Sequence, residues 1–178
     1  MGNIFYFAFS LAYVFLFIYA FRLTKNKDLQ YKIFLIILAA LFYDNFISAM
    51  GFILGDGQLL KGLNFFRFAF HVFITPLLCF VVYKMAQKGG IKIFQSRVSE
   101  IAVWIFSAIL IAMGFVHDIL PNDLIPHVKW GVLKYTHATP SVPIFVILVI
   151  IFIIAVAVII WRKKGWPELF IGSMFMFL

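Results

Sequence analysis

The amino-acid sequence predicts an all-α fold, a polytopic transmembrane helical bundle of five full spans plus a short C-terminal apolar segment. Hydrophobic residues make up 65% of the chain and charged residues only 12%, a composition far from that of soluble domains. Several apolar runs approach the ~20 residues that a helix needs to cross a bilayer. Lys and Arg gather in short clusters between these runs, as they do in the loops of membrane proteins.

The apolar runs divide a single integral membrane domain, residues 1–178, into its spans. The first run is not preceded by a basic segment, so we interpret it as a retained span and not as a signal peptide. A last apolar stretch, 169–178, covers about half of the hydrocarbon thickness at ~1.5 Å per residue. We expect this tail to be re-entrant, interfacial or the beginning of a sixth span. The five predicted spans are about 4–21, 33–54, 65–85, 101–120 and 142–161.

The distribution of basic residues predicts the orientation of the chain. Eleven of the fifteen Lys and Arg residues fall in loops 22–32, 84–97 and 162–164, which follow the first, third and fifth spans. By the positive-inside rule these loops are cytoplasmic, and the N-terminus lies outside the cell (cytoplasmic) membrane. The net charge of +8 is then a topology signal, and we expect no nucleic-acid partner. The expected partners are membrane lipids, with a protein partner or a homo-oligomer within the membrane left open.

The long connection 121–141 between the fourth and fifth spans is rich in turn-forming residues. Within it, Ile125, Val128 and Val132 recur at helical spacing, with Trp130 and Tyr135 nearby. This spacing predicts a short helix lying in the membrane interface. We expect that helix to be bounded by the prolines of the connection, Pro121, Pro126 and Pro140.

Polar and small side chains form a stripe along the second and third spans. A spacing of three or four residues puts such side chains on one face of a helix, where small residues let helix backbones approach closely. Because a short connection joins the two spans, we expect the stripes to face each other. The second-span stripe is Ala40, Asp44, Ser48, Gly51 and Gly55. The third-span stripe is Asn64, Arg67, His71, Thr75 and Cys79.

Depth along the predicted spans decides which polar groups can meet. Asp44 lies roughly 15 Å below the outer edge, and His71 lies about 6 Å and Arg67 about 12 Å above the level of Asp44. Asp44 and His71 are therefore the expected contact. Arg67 is too far from Asp44 on this estimate, and an arginine near a span end usually extends toward the headgroups.

Asp44 is the most informative residue, since an ionised carboxylate at that depth costs a few kcal/mol unless it is neutral, paired or hydrated. The hypothesis is a polar site in the outer half of the bundle, with Asp44 and His71 as catalytic acid and base or as metal ligands. Arg67, Thr75 and Asn45 are the candidate substrate-binding residues. Pro76 lacks the amide that would continue the helical ladder, so we expect the third span to bend there.

Polar residues of two further spans bear on this site. The fourth span ends in His117 and Asp118, and one face of the first span carries Tyr6, Ser10 and Tyr13. These side chains either complete an outward-facing polar pocket or are ordinary interface residues. No metalloprotease, serine-hydrolase or nucleotide-binding motif occurs in the sequence, so it identifies no cofactor and no metal.

Three classes of function fit this pattern. The chain is a membrane protein whose polar cluster binds a lipid or small molecule, with a lipid-modifying hydrolase or transferase as the enzymatic version. Alternatively, Asp44 and His71 only fasten helices together in a structural subunit of a membrane complex. In the third case Asp44 is the titrating group of a small proton-coupled transporter.

Overall fold

The computed structural model describes residues 2–23, 28–121, 123–139 and 142–175. Over these residues the fold is an all-α helical bundle, as predicted, with five helices that are long and apolar enough to cross a membrane. Parts of three predicted segments, residues 24–27 of the first basic loop, 122 and 140–141 of the long connection and 176–178 of the tail, lie outside the described residues. The helices are α1 (Gly2–Leu23), α2 (Leu29–Leu54), α3 (Gln58–Ile74), α4 (Leu77–Lys88), α5 (Arg97–Gly114), α6 (Ile144–Lys164) and α7 (Glu168–Phe175).

The third predicted span begins earlier than the sequence pattern suggested. We expected it to start at residue 65, but α3 begins at Gln58. Lys61 and Gly62 interrupt the apolar run without interrupting the helix, because a lysine is a good helix former and a single glycine costs only ~1 kcal/mol. Gly55, with φ of 71°, ends α2 and its N–H bonds to the Gly51 carbonyl, so the turn between α2 and α3 is very short.

The helix is interrupted at Thr75 and Pro76, as predicted from Pro76. The chain divides at the same point into two compact units. Unit 1 is Met1–Ile74 with Phe115–Val142, and unit 2 is Thr75–Gly114 with Pro143–Leu178. The expectation of a single integral membrane domain stays a prediction.

Unit 1 contains α1, α2 and α3, a π-helical turn at Phe115–Ile119 and a β-hairpin. Helix α1 packs along α2, and α3 returns beside α2. The hairpin packs on α2 and α3 through a core of buried apolar side chains. We use the term hairpin end for the end of α2 and the end of α3 that contact the hairpin. The core is formed by Ile47, Leu60, Leu124, Leu133 and Tyr135.

The hairpin replaces the interfacial helix that we expected in the long connection, so that prediction is wrong. Strands β1 (Leu124–Lys129) and β2 (Val132–His137) pair antiparallel. Their two-residue turn has positive φ at both positions, 52° at Trp130 and 73° at Gly131, as in the type I′ turns that favour hairpins. The helical spacing of the β-branched residues was coincidental, because these residues pair across two antiparallel strands, in which Val132, Leu133 and Tyr135 of β2 are buried.

Unit 2 contains α4, α5, α6 and α7, with a single 3₁₀ turn at Lys92–Phe94 between α4 and α5. The Tyr83 side chain is fully buried, and its hydroxyl donates to the Phe94 carbonyl at 2.9 Å. The described part of the apolar tail is the short helix α7, which packs on α6 with the rings of Trp161 and Phe170 stacked 5.1 Å apart. Whether that tail is re-entrant or interfacial stays a prediction.

Candidate polar site in unit 1

Arg67 is the centre of a polar cluster that joins three elements of unit 1. Its side chain is only 9% exposed, and its Nε lies 3.5 Å from Oδ1 of Asp44 on α2. One terminal nitrogen donates to Oγ of Ser48 at 3.2 Å, and the other donates to the Tyr135 carbonyl of β2 at 3.4 Å. The guanidinium also lies over the ring of Phe68, 5.0 Å from its centre. A buried arginine with these contacts ties α2, α3 and β2 together.

The expectation that Arg67 is too far from Asp44 is wrong, and the early start of α3 is the reason. Nine residues separate Gln58 from Arg67, and ten separate Asp44 from Leu54. At ~1.5 Å per residue, Arg67 and Asp44 lie about 14 and 15 Å from the hairpin end of their helices. Arg67 is therefore level with Asp44, and it does not extend toward the headgroups as we expected.

Asp44 is held by Arg67 but remains accessible. Its side chain is 47% exposed, in contrast to the buried guanidinium that contacts it. The charges of Asp44 and Asp118 both act on the ring of His71, which is itself exposed. The predicted direct contact between Asp44 and His71 stays a prediction. By the same count His71 lies about 5 Å deeper than Asp44, measured from the hairpin end, and not above it.

The hairpin closes over this cluster through close backbone and side-chain contacts. A Cβ added to Gly51 would lie 1.7 Å from the Leu133 carbonyl oxygen, so only glycine lets β2 pack on α2 here. The Tyr135 hydroxyl donates to Oδ1 of Asp56 in the turn between α2 and α3. This hydrogen bond raises the pKa of Tyr135, since the neutral hydroxyl is the form that donates.

The two ends of the hairpin are joined by a histidine and an acid. Nδ1 of His137 lies 2.6 Å from Oδ1 of Asp123, and the ring of His137 packs 4.9 Å from that of Phe68. The hydrogen bond from His137 lowers the pKa of the Asp123 carboxyl. The base of the hairpin is thus held to the helix that carries Arg67.

Sequence reasoning missed the contribution of β2 to this site. Burial lowers the pKa of Lys134, the charge of Arg67 lowers it further, and Asp44 acts in the opposite direction. The Tyr135 carbonyl is a direct partner of Arg67. The signal that could have revealed β2 is the alternation of polar and apolar residues around the Trp130-Gly131 turn.

The other predicted site residues are placed as follows. The Asn45 amide nitrogen donates to the Leu41 carbonyl of its own helix at 2.8 Å. Thr75 belongs to unit 2, so its role at the site stays a prediction. His117 and Asp118 pair with each other, with Nδ1 and Oδ1 2.6 Å apart, and the side chain of Asp118 is only 10% exposed.

Among the described residues, no group of three or more His, Cys, Asp and Glu side chains could hold a metal ion. Comparisons of the chain with protein-family models, with curated proteins and with solved structures find no match.

Proposed function

We propose that this chain is a multi-pass protein of the cytoplasmic membrane whose Asp44 and His71 form a binding site for a lipid or a small molecule. In this proposal the N-terminus and the hairpin lie outside, and loops 22–32, 84–97 and 162–164 lie in the cytoplasm. The five apolar helices support the membrane location, and the eleven basic residues of those loops support the orientation.

One observation carries the proposed site: a carboxylate deep along an apolar helix is fixed by a buried cation and yet remains half exposed. Ionisable groups within membrane spans almost always face the interior of the bundle or a water-filled cavity, so an acid that served packing alone is expected to be covered by neighbouring helices. The side chain of Asp44 instead remains 47% exposed. Ionisable groups in that position usually mark a site or a pathway.

The contacts suggest different roles for the three residues. The three nitrogens of Arg67 all have partners within unit 1, which favours a role in positioning Asp44 over a direct grip on an anionic headgroup. Asp44 then supplies the hydrogen-bond acceptor or acid, and His71 supplies an imidazole that accepts or donates a proton near neutral pH. In the enzymatic version, these two groups act as acid and base on a lipid-borne substrate.

A structural clasp is the second candidate function, and the contacts of Arg67 favour it. The guanidinium joins α2 to α3 and to β2, so the cluster fixes the packing of unit 1 whether or not a ligand binds. A clasp needs Arg67 and Asp44, whereas the proposed binding site needs His71 as well.

Co-purification tests the proposed site. Wild-type protein and the variants Asp44→Asn, His71→Phe and Glu100→Gln are extracted with their surrounding lipid, and the organic extract of each is analysed by mass spectrometry. Glu100→Gln is the control, because it removes the acid of the ion pair in unit 2. We expect a species that is enriched in the wild type and the control and lost from both site variants.

The same preparations distinguish the binding site from the clasp. If Asp44→Asn lowers the thermal midpoint, His71→Phe leaves it unchanged, and all four extracts are identical, the cluster is a clasp and the proposed binding site is wrong. Elemental analysis of the wild type tests the metal-dependent version, which copurifying zinc, iron or manganese would support.

A further inference from the structure

An apolar groove runs between α1 and α2, away from the polar cluster and toward the basic residues of loop 22–32. It contains a cavity of about 460 Å³ and, beside it, a smaller one of about 210 Å³. The two cavities share Leu38 and together follow α1 from Tyr13 to Leu23. The larger cavity is lined by Leu16, Tyr19, Ala20, Leu23, Phe34 and Leu38, and by Tyr31 at its basic end.

The dimensions of this groove match a single hydrocarbon chain. The ten residues from Tyr13 to Leu23 extend about 15 Å along the helix, which is half of the ~30 Å hydrocarbon thickness of a bilayer and so the depth of one leaflet. Apart from Ala20, the larger cavity is lined by bulky aliphatic and aromatic side chains, unlike the small residues that let a second helix approach closely. A flexible acyl chain fits such a cleft better than a helix from another protein chain.

The charge at the open end of the groove selects the headgroup. Loop 22–32 carries four basic residues, Arg22, Lys25, Lys27 and Lys32, against a single acid. That acid, Asp28, accepts a hydrogen bond from Gln30 at 3.3 Å. Both Arg22 and Lys32 are exposed at the ends of α1 and α2. Basic clusters at the end of a groove between membrane helices favour anionic headgroups.

We propose that the groove between α1 and α2 binds one acyl chain of an anionic phospholipid, whose headgroup contacts Arg22 and Lys32 at the basic end of the groove. The acyl chain fills the two cavities, and the phosphate is held by Arg22 and Lys32. The headgroup end of this groove, at Arg22 and Lys32, is distinct from the site at Asp44 and His71.

Electron paramagnetic resonance tests the headgroup part of the proposal. The full chain is reconstituted in nanodiscs with spin-labelled phosphatidylglycerol or spin-labelled phosphatidylcholine, and the immobilised fraction of each lipid is measured. We expect the wild type to prefer phosphatidylglycerol. The double variant Arg22→Gln/Lys32→Gln should bind it about fivefold more weakly for each cation removed. The control Lys163→Gln/Lys164→Gln, in the basic loop of unit 2, should retain the preference, and an equal loss in both would overturn the proposal.

Substitutions that fill the groove test the acyl-chain part. Ala20→Trp should abolish the immobilised phosphatidylglycerol, whereas Ile18→Trp, at the same depth on the other side of α1, should not. Ala39→Phe fills the smaller cavity and provides a second test if Ala20→Trp does not fold. The proposal is wrong if Ala20→Trp and Ala39→Phe both leave the lipid immobilised. It is also wrong if light scattering shows that these substitutions change the oligomeric state, since a second chain would then occupy the groove.

Discussion

Each unit of the molecule contains an ion pair, and the two pairs differ in depth along their helices. In unit 1, Arg67 and Asp44 lie about 14 and 15 Å from the hairpin end of their helices at ~1.5 Å per residue. In unit 2, Nζ of Lys84 lies 2.9 Å from Oε1 of Glu100. Lys84 is four residues from the end of α4 and Glu100 three from the start of α5, or about 6 and 5 Å.

The hydrogen-bond partners of the two ion pairs also differ. Lys84 also donates to Oε1 of Gln87, whose amide donates in turn to the Phe94 carbonyl, so the unit 2 network fastens a turn. Polar groups at a helix end are readily hydrated and commonly serve the turn. Polar groups in the middle of a membrane-spanning helix are not readily hydrated. For this reason the pair in unit 1 is the candidate site. Depth along the helix, and not the number of polar residues, separates the two clusters.

The largest effect on stability is expected at Gly51. This residue lets the hairpin pack over the Arg67–Asp44 pair, which lies in the middle of its helices. Gly51→Ala places a methyl group 1.7 Å from the Leu133 carbonyl oxygen, and backbone atoms there cannot move aside without displacing β2. We expect a loss of ~3 kcal/mol in the free energy of unfolding, at the upper end of overpacking effects. Thermal unfolding in detergent measures it.

Gly62→Ala is the matched control for this prediction. Gly62 lies within α3 and has no atom within 4 Å of the position that a Cβ would occupy. The substitution should be neutral or stabilise unit 1 by up to ~1 kcal/mol, since alanine favours a helix over glycine. Equal stability losses in both variants would show that the hairpin does not pack on Gly51 as described.

The next largest effect on stability is expected when the cation of each ion pair is replaced by methionine. Arg67→Met leaves the carboxylate of Asp44 without its partner, and we expect a loss of about 2 kcal/mol, less than the ~3–5 kcal/mol of a fully buried pair because Asp44 is half exposed. Lys84→Met should cost under ~1 kcal/mol, as is usual for a pair near the surface. Thermal midpoints of the two variants measure the difference.

The double variant Arg67→Met/Asp44→Leu sharpens the comparison. If the penalty of Arg67→Met comes from the stranded carboxylate, the second substitution should restore much of the stability. Additive losses would instead mean that the contacts of Arg67 with Ser48 and Tyr135 provide most of its contribution. A larger loss from Lys84→Met than from Arg67→Met would contradict the distinction between the two pairs.

Much of the architecture was predictable from the sequence, because apolar runs of this length have few alternatives to helices. Pro76 was also a reliable signal, since a residue without an N–H breaks the ladder in any context. The start of α3 was missed because hydropathy reports where a helix is apolar, while the helix itself continues through Lys61 and Gly62. The resulting shift of about 10 Å in depth made Arg67 seem out of reach of Asp44.

The hairpin was harder to predict because its pattern fits two periods. Ile125, Val128 and Val132 match a helical spacing, while polar and apolar residues also alternate around Trp130-Gly131, where positive φ at both residues forms the turn of the hairpin. Asp44 and Arg67 could be identified as candidate residues from their depth alone. Their pairing could not, because it depends on the helix start and on the Tyr135 carbonyl of a strand that we had not predicted.

The smallest effect on stability is expected at the His137–Asp123 pair, which joins the two ends of the hairpin. The hydrogen bond from His137 lowers the pKa of the Asp123 carboxyl below its ordinary value of 3.8, so the folded hairpin favours the charged form. The pair therefore stabilises unit 1 above that value, and this contribution is lost as the pH falls through the lower pKa of the folded state.

We expect the thermal midpoint of the wild type to fall more steeply below about pH 4 than that of Asp123→Asn, which cannot titrate. His137→Gln should also reduce the steepness, since it removes the group that favours the carboxylate. The fluorescence of Trp130 in the hairpin turn reports the local change, provided that the other tryptophans, Trp104, Trp161 and Trp166, are replaced by phenylalanine. Identical pH profiles for the wild type and both variants would show that the His137–Asp123 contact does not hold the hairpin, and the cover over Arg67 would then depend on Gly51 and Tyr135 alone.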